Sequence, residues 1–139
     1  MPYLLDTCTV SELGDPKPNL RVRDALLALP REDLFLSTIT IAEIIFGIEM
    51  LTPSPKRSHL LAWFQQSIAG VFMDRILPVD FNVACRWGEL MARLTGNGKL
   101  MQRADSYIAA TALQHGLTLI TRNESDFSAS GVAILNPWT

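Results

Sequence analysis

Cysteine is nearly absent from this 139-residue chain: Cys8 and Cys85 are the whole complement. Two cysteines cannot build a disulfide framework, so a reduced, cytoplasmic setting is the expectation. No apolar run approaches the roughly 18 residues that a membrane-spanning helix needs. The opening Met1-Pro2-Tyr3-Leu4-Leu5-Asp6-Thr7 puts no basic stretch ahead of a long apolar run, so no secretory signal is expected. Histidine is as scarce as cysteine. His59 and His115 are far apart in sequence and have no partners at zinc-ligand spacing. There is no Walker A loop, no Gly-x-Gly-x-x-Gly and no Gly-x-Ser-x-Gly elbow. Gly96-Asn97-Gly98-Lys99 is a loop rather than a phosphate cradle. Excess basic charge is lacking too: the net charge is −2, which argues against a general nucleic-acid coat protein.

What is present is apolar. Hydrophobic residues make up 48% of the chain and charged residues 19%. A chain of this length and composition buries a sizeable core as a single domain, residues 1–139. Five short apolar runs read as strands: Tyr3-Leu5, Leu34-Leu36, Ile76-Val79, Leu117-Thr121 and Val132-Leu135. They are nearly continuous rather than alternating, as in a parallel sheet covered on both faces. Helical patterns fill the gaps at 19–29, 40–51, 56–69, 81–95 and 104–115, closed by Pro30, Pro53, Gly70, Gly96 and Gly116. The expected architecture is three-layer α/β, with a parallel sheet of four or five strands and helices on both faces. The first strand should be central, between the second and the fourth.

Four acids occupy unusual places, and each has a structural explanation. Asp6 follows a strand and suits a turn. Thr40-x-x-Glu43 has the spacing of a capping box. Asp105 falls in the first turn of a helix, where the macrodipole favours an anion. Asp126, three residues after Asn123, is also cap-like. Taken together they suggest more. In an open parallel sheet, ligands gather beyond the carboxyl ends of the strands, where the strand order reverses. Asp6, Glu43 and Asp126 would all lie on that edge. Asp105 heads a buried stripe with Ile108, Ala109 and Ala112. Carboxylates gathered in a cleft repel one another unless a cation neutralises them. Oxygen-only donors suit Mg²⁺ or Mn²⁺, ions that activate water and stabilise charge on a phosphodiester. The pattern reads as metal-dependent phosphodiester hydrolysis.

At this point the chain resembles the PIN-domain ribonucleases, of the toxin type called VapC or FitB. Leu4-Leu5-Asp6-Thr7 followed by Ser11-Glu12-Leu13 is similar to the family's opening. Ser37-x-x-Thr40-x-x-Glu43-x-x-x-Gly47 is similar to its strand-to-helix entry. The fullest match is Ala104-Asp105-Ser106-Tyr107-Ile108-Ala109-Ala110-Thr111-Ala112, which continues through His115-Gly116-Leu117-Thr118-Leu119-Ile120-Thr121-Arg122-Asn123 to Asp126-Phe127. Leu135-Asn136-Pro137-Trp138 is like the FitB end of the family. The resemblance implies a PIN-like fold and an endoribonuclease with an acidic quartet of Asp6, Glu43, Asp105 and Asp126. Asp6 and Asp105 would be the main ligands of Mg²⁺ or Mn²⁺. Glu43 would complete that shell or orient water, and Asp126 would act through water or help hold a second ion. Thr121 and Asn123 would bond the carboxylates and the substrate phosphate, with Thr7 supporting Asp6. The resemblance further implies an RNA substrate, a small VapB-like antitoxin, often DNA-binding, and a homodimer. Ile41, Phe46, Met50 and Trp63 supply apolar surface for the dimer beyond one core stripe.

Cys8 departs from the family, which usually has Asn there. A thiol is a weak donor with no amide oxygen. That keeps a non-catalytic PIN-like binding module as the alternative. An aspartyl phosphatase with Asp6 as nucleophile fits less well, because its motif wants a second Asp where Cys8 stands. A receiver domain wants a lysine late in the chain, and none follows Lys99.

Overall fold

The computed structural model describes residues 2–139. Strand β1 (Tyr3–Leu5) leads directly into helix α1 (Thr7–Leu13), and α2 (Leu20–Leu27) follows. Strand β2 (Leu34–Ser37) feeds α3 (Thr38–Glu49), then α4 (Pro55–Trp63), which continues as wider π-type turns over Phe64–Ala69 and a last short turn, α5 (Gly70–Phe72). Strand β3 (Ile76–Leu77) precedes the long α6 (Phe81–Gly96) and α7 (Arg103–His115). Strand β4 (Thr118–Ile120), the single-turn α8 (Glu124–Phe127) and β5 (Ile134–Leu135) complete the chain.

The five strands form one sheet in the order β3-β2-β1-β4-β5. Every pairing is parallel. Tyr3 and Leu4 sit opposite Leu34 and Phe35 on one side of β1, and opposite Thr118 and Leu119 on the other. The expected three-layer α/β architecture is therefore present, with β1 between β2 and β4. The chain moves outward to one side through β2 and β3, then returns to the other side of β1 as β4. The order thus reverses between β1 and β4, which makes their carboxyl ends the natural mouth of a site.

Alternation along the strands fills both layers. Leu4 and Leu119 belong to one core, with Val83, Leu90 and Leu94 of α6 and Ile108, Ala109 and Ala112 of α7. Their sequence neighbours Leu5 and Ile120 point to the other core, with Val10, Val22, Ile44, Ile48 and Ile68. Successive strand side chains face opposite sides, so two adjacent buried leucines require cover on both. The fully buried Ala109, Ala110 and Ala112 let α7 approach the sheet closely.

Several expected boundaries shift. The third strand ends at Leu77, because Pro78 has no amide hydrogen to continue the ladder. The helix expected at 40–51 begins at Thr38, capped by the Ser37 hydroxyl accepting from the Ile39 amide. Thr40 is thus inside the helix, and the Thr40–Glu43 capping box does not form. Helix α7 ends at Gly116 with φ 65°, a left-handed conformation that favours glycine. At the far end of α1, a Cβ on Gly14 would lie 2.9 Å from Trp63 ring atoms, so any larger residue there requires that ring to move.

Candidate active site

Asp6 is the first residue past β1 and the N-cap of α1. Its carboxylate is 4% exposed and thoroughly engaged. Oδ1 accepts from the Thr9 amide at 3.0 Å and lies 2.7 Å from the Thr9 hydroxyl, which is also 2.9 Å from the Ile120 carbonyl. The Thr121 hydroxyl donates to Oδ2 at 2.5 Å from the end of β4. Strands β1 and β4, neighbours in the sheet, therefore converge on one carboxylate. Thr121 Oγ1 in turn accepts from the Asn123 amide at 3.0 Å. Thr9 was not foreseen, although Asp6-x-x-Thr9 at a strand-to-helix junction is N-cap spacing and could have signalled it.

Cys8 Sγ lies 3.1 Å from both Asp6 oxygens. Burial pushes its thiol pKa up to about 11, and the Asp6 charge pushes in the same direction. At neutral pH the group is a protonated thiol that donates to Asp6. It thus supplies one of the carboxylate's donors.

Glu43 stands one turn inside α3, half-buried. It accepts from the Thr7 hydroxyl at 2.5 Å, and Thr7 Oγ1 is 3.2 Å from Thr40 Oγ1. Thr7 was expected to support Asp6. It binds Glu43 instead, because the first turn of α1 presents Thr7 towards α3 while Thr9 turns back onto Asp6.

Asp105, in the first turn of α7, is half-buried. Its pKa rises from 3.8 to about 6, first through burial, then through the negative charges of Asp126, Glu43 and Asp6. All four acids thus share one electrostatic neighbourhood, and no cation figures among the groups that set Asp105. Asp126 is exposed on α8 and lines a cavity of about 430 Å³ with Asp105. Glu43 opens onto another, of about 590 Å³, between α3 and α7, beside Phe46, Arg103 and Tyr107. Asn123 is exposed at the N-cap of α8.

The acids share a field without forming a finished cage. Among the described residues, no three His, Cys, Asp or Glu side chains lie close enough together to hold one metal ion. The negative charges of Asp126, Glu43 and Asp6 each disfavour the ionised form of Asp105. The chemistry of the set still fits a hard divalent cation, since every donor is oxygen and Asp105 is poised between its charged and neutral forms near pH 6.

Comparison with known proteins bears on the family and the fold. The PIN-domain family profile matches residues 3–131. The chain is 44% identical over 135 residues to Toxin FitB of Neisseria gonorrhoeae, covering 97% of each chain. It is 36% identical over 135 residues to VapC ribonuclease Y4jK of Sinorhizobium fredii, covering 97% of this chain and 96% of that one. Among solved structures, FitAB bound to the IR36 DNA fragment superposes with a TM-score of 0.92 at 42% identity, covering 99% of this chain and 96% of that one.

Proposed function

The chain belongs to the PIN-domain family, and from that premise we propose that it is a metal-dependent endoribonuclease, the toxin half of a toxin–antitoxin pair. The observation that carries this reading is the gathering of four acids at the carboxyl edge of the parallel sheet, where burial and then the charges of Asp126, Glu43 and Asp6 act on Asp105. The names of the relatives, a toxin and a VapC ribonuclease, support the same activity class.

In this reading residues 1–139 act as one PIN-like domain. Asp6 and Asp105 would hold Mg²⁺ or Mn²⁺, with Glu43 and Asp126 completing the shell directly or through water. When bound, such an ion supplies Lewis acidity at the phosphate and makes water a better nucleophile near neutral pH. The chain's own residues do the rest. Thr9, Thr121 and Cys8 fix the Asp6 carboxylate so that its oxygens cannot swing away. Glu43, steadied by Thr7, stands to take the proton that water gives up as it attacks phosphorus. The P–O bond on the far side then breaks, and the departing oxygen takes a proton from solvent. Asn123, exposed beside Thr121, is placed to donate to a phosphate oxygen.

The non-catalytic alternative rested on Cys8, and a neutral thiol that donates to Asp6 supports the catalytic reading against it. The partners proposed are an RNA substrate and a VapB-like antitoxin. The FitAB complex on DNA supports the latter for a close relative. Homodimerisation is proposed from Phe46 on α3 and Met50 at its C-cap, 67% and 70% exposed, while Ile41 and Trp63 pack against the core. A cytoplasmic setting belongs to the same proposal, and among the described residues no helix is long and apolar enough to cross a membrane. The deciding experiment is RNA cleavage with Mg²⁺ or Mn²⁺ by wild type and Asp105→Asn. Cleavage by wild type that is lost in the variant and on chelation supports the reading. Equal activity in both proteins overturns it.

A further inference from the structure

An acidic site that takes a polyanion needs a cation nearby, yet one that does not collapse onto the acids. Arg122 meets both conditions. It lies between Thr121, which bonds Asp6, and Asn123, and its side chain is exposed. No ion pair to it appears among the described residues. Its guanidinium instead lies over the Trp138 ring, 5.9 Å from the centroid, within the range of a cation–π contact. The backbone below is pinned as well. The Thr121 amide donates to the Leu135 carbonyl at 3.1 Å. The Asn136 amide group reaches the Arg122 carbonyl at 3.4 Å and the Glu124 carboxylate at 2.8 Å. Trp138 itself packs into the core that contains Leu5 and Ile120. Asn136 and Trp138 thus hold one arginine at a defined place, one residue along the chain from Thr121 and its bond to Asp6. The charges that set Asp105 include no arginine.

We propose that Arg122, held by Trp138 and Asn136, grips a phosphate of the RNA strand next to the one being cleaved. The inference rests on the ribonuclease reading above. A guanidinium parked on an aromatic ring keeps its charge, loses little rotamer freedom on binding, and offers a planar fork that matches phosphate oxygens. Lying over Trp138, Arg122 makes no ion pair with a carboxylate among the described residues, so its charge is available to a phosphate.

The test measures RNA cleavage and RNA binding across a salt series. Wild type is compared with Arg122→Ala, Arg122→Gln and Arg122→Lys. One contact to a single-stranded phosphate contributes about 0.7 to the slope of log affinity against log salt. Arg122→Ala and Arg122→Gln should lose about that much slope and raise KM roughly tenfold, with kcat falling far less. Arg122→Lys should recover most of the slope, since the charge is kept. Trp138→Phe should retain more affinity than Trp138→Leu. Binding is measured in parallel by fluorescence anisotropy, with an RNA oligonucleotide and Asp105→Asn protein free of metal, so it does not depend on turnover. If wild type cleaves no RNA but Arg122→Ala still costs slope in the binding arm, the ribonuclease reading fails and the phosphate grip stands. If wild type cleaves and all Arg122 variants keep its slope and KM, the grip is overturned alone. A fall in kcat that lysine does not rescue, with the slope intact, makes Arg122 a structural loop residue and also overturns it.

Discussion

At the scale of single residues, the site is a balance between satisfied and unsatisfied charge. Asp6 is surrounded by donors, whereas Asp105 is pressed by three other negative charges. A carboxyl whose folded pKa is raised favours folding most below its unfolded value, and that contribution is lost as pH rises through the folded value. For Asp105 the window runs from 3.8 to about 6. Metal-free protein should therefore lose stability across that range, and Asp105→Asn should flatten the loss, as thermal melts in chelator would show. At the proposed site protons and metal would compete for the same oxygens, so Mg²⁺ or Mn²⁺ should raise the melting temperature more above pH 6 than below it. At a hundredfold excess over the dissociation constant the gain is about 2.7 kcal/mol. A melting temperature indifferent to metal at pH 7.5 would count against the proposed ligands. Thr121→Val separates support from ligation. Valine matches threonine in shape but leaves Asp6 and the Asn123 amide each one partner short. A cost of about 1–3 kcal/mol in denaturant melts is expected, with cleavage reduced yet still dependent on metal.

At the scale of elements, α1 shows where sequence reasoning stops. Its residues, Thr-Cys-Thr-Val-Ser-Glu-Leu, are mostly poor helix formers, and seven are too few for periodicity to speak. The helix forms because Asp6 caps it and Val10 is fully buried, and both facts belong to tertiary structure. The longer α6 and α7 were legible, since Val83, Leu90 and Leu94 recur at helical spacing and Gly116 marks a stop. The acids were legible for a related reason: each follows a strand or opens a helix, so a parallel sheet puts them on one edge. Of their hydroxyl partners Thr121 was legible, because it ends the strand beside Asp6, whereas Thr7 and Thr9 were not, since which of them meets Asp6 depends on how α1 is rolled against α3. Helix α3 also carries its own prediction. Phe46 and Met50 lie one turn apart and are exposed. If they meet a second copy, Phe46→Asp with Met50→Asp should convert a dimer to a monomer in sedimentation while the melting transition survives. An unchanged mass would place the dimer contact elsewhere.

At the scale of the whole molecule, the four acids divide evenly about one loop. Asp6 and Glu43 precede the exposed stretch 97–100, and Asp105 and Asp126 follow it. Neither half holds all four acids of the proposed site. The central strand β1 finds β4 only across that divide, and the Thr121–Asp6 bond spans 115 positions. The two halves are also held together by the packing of α6 on α7, which flank the loop. A toxin cut within residues 97–100 should therefore yield two inert fragments, each harmless when made alone in a cell. Produced together, they should reassemble through β1–β4 pairing and recover cleavage, and growth arrest would report it. Arrest by either fragment alone would contradict the division. This property belongs to the order of the strands. The same chain order that joins distant acids into one centre also makes the poison a two-key lock, armed only when both keys are present.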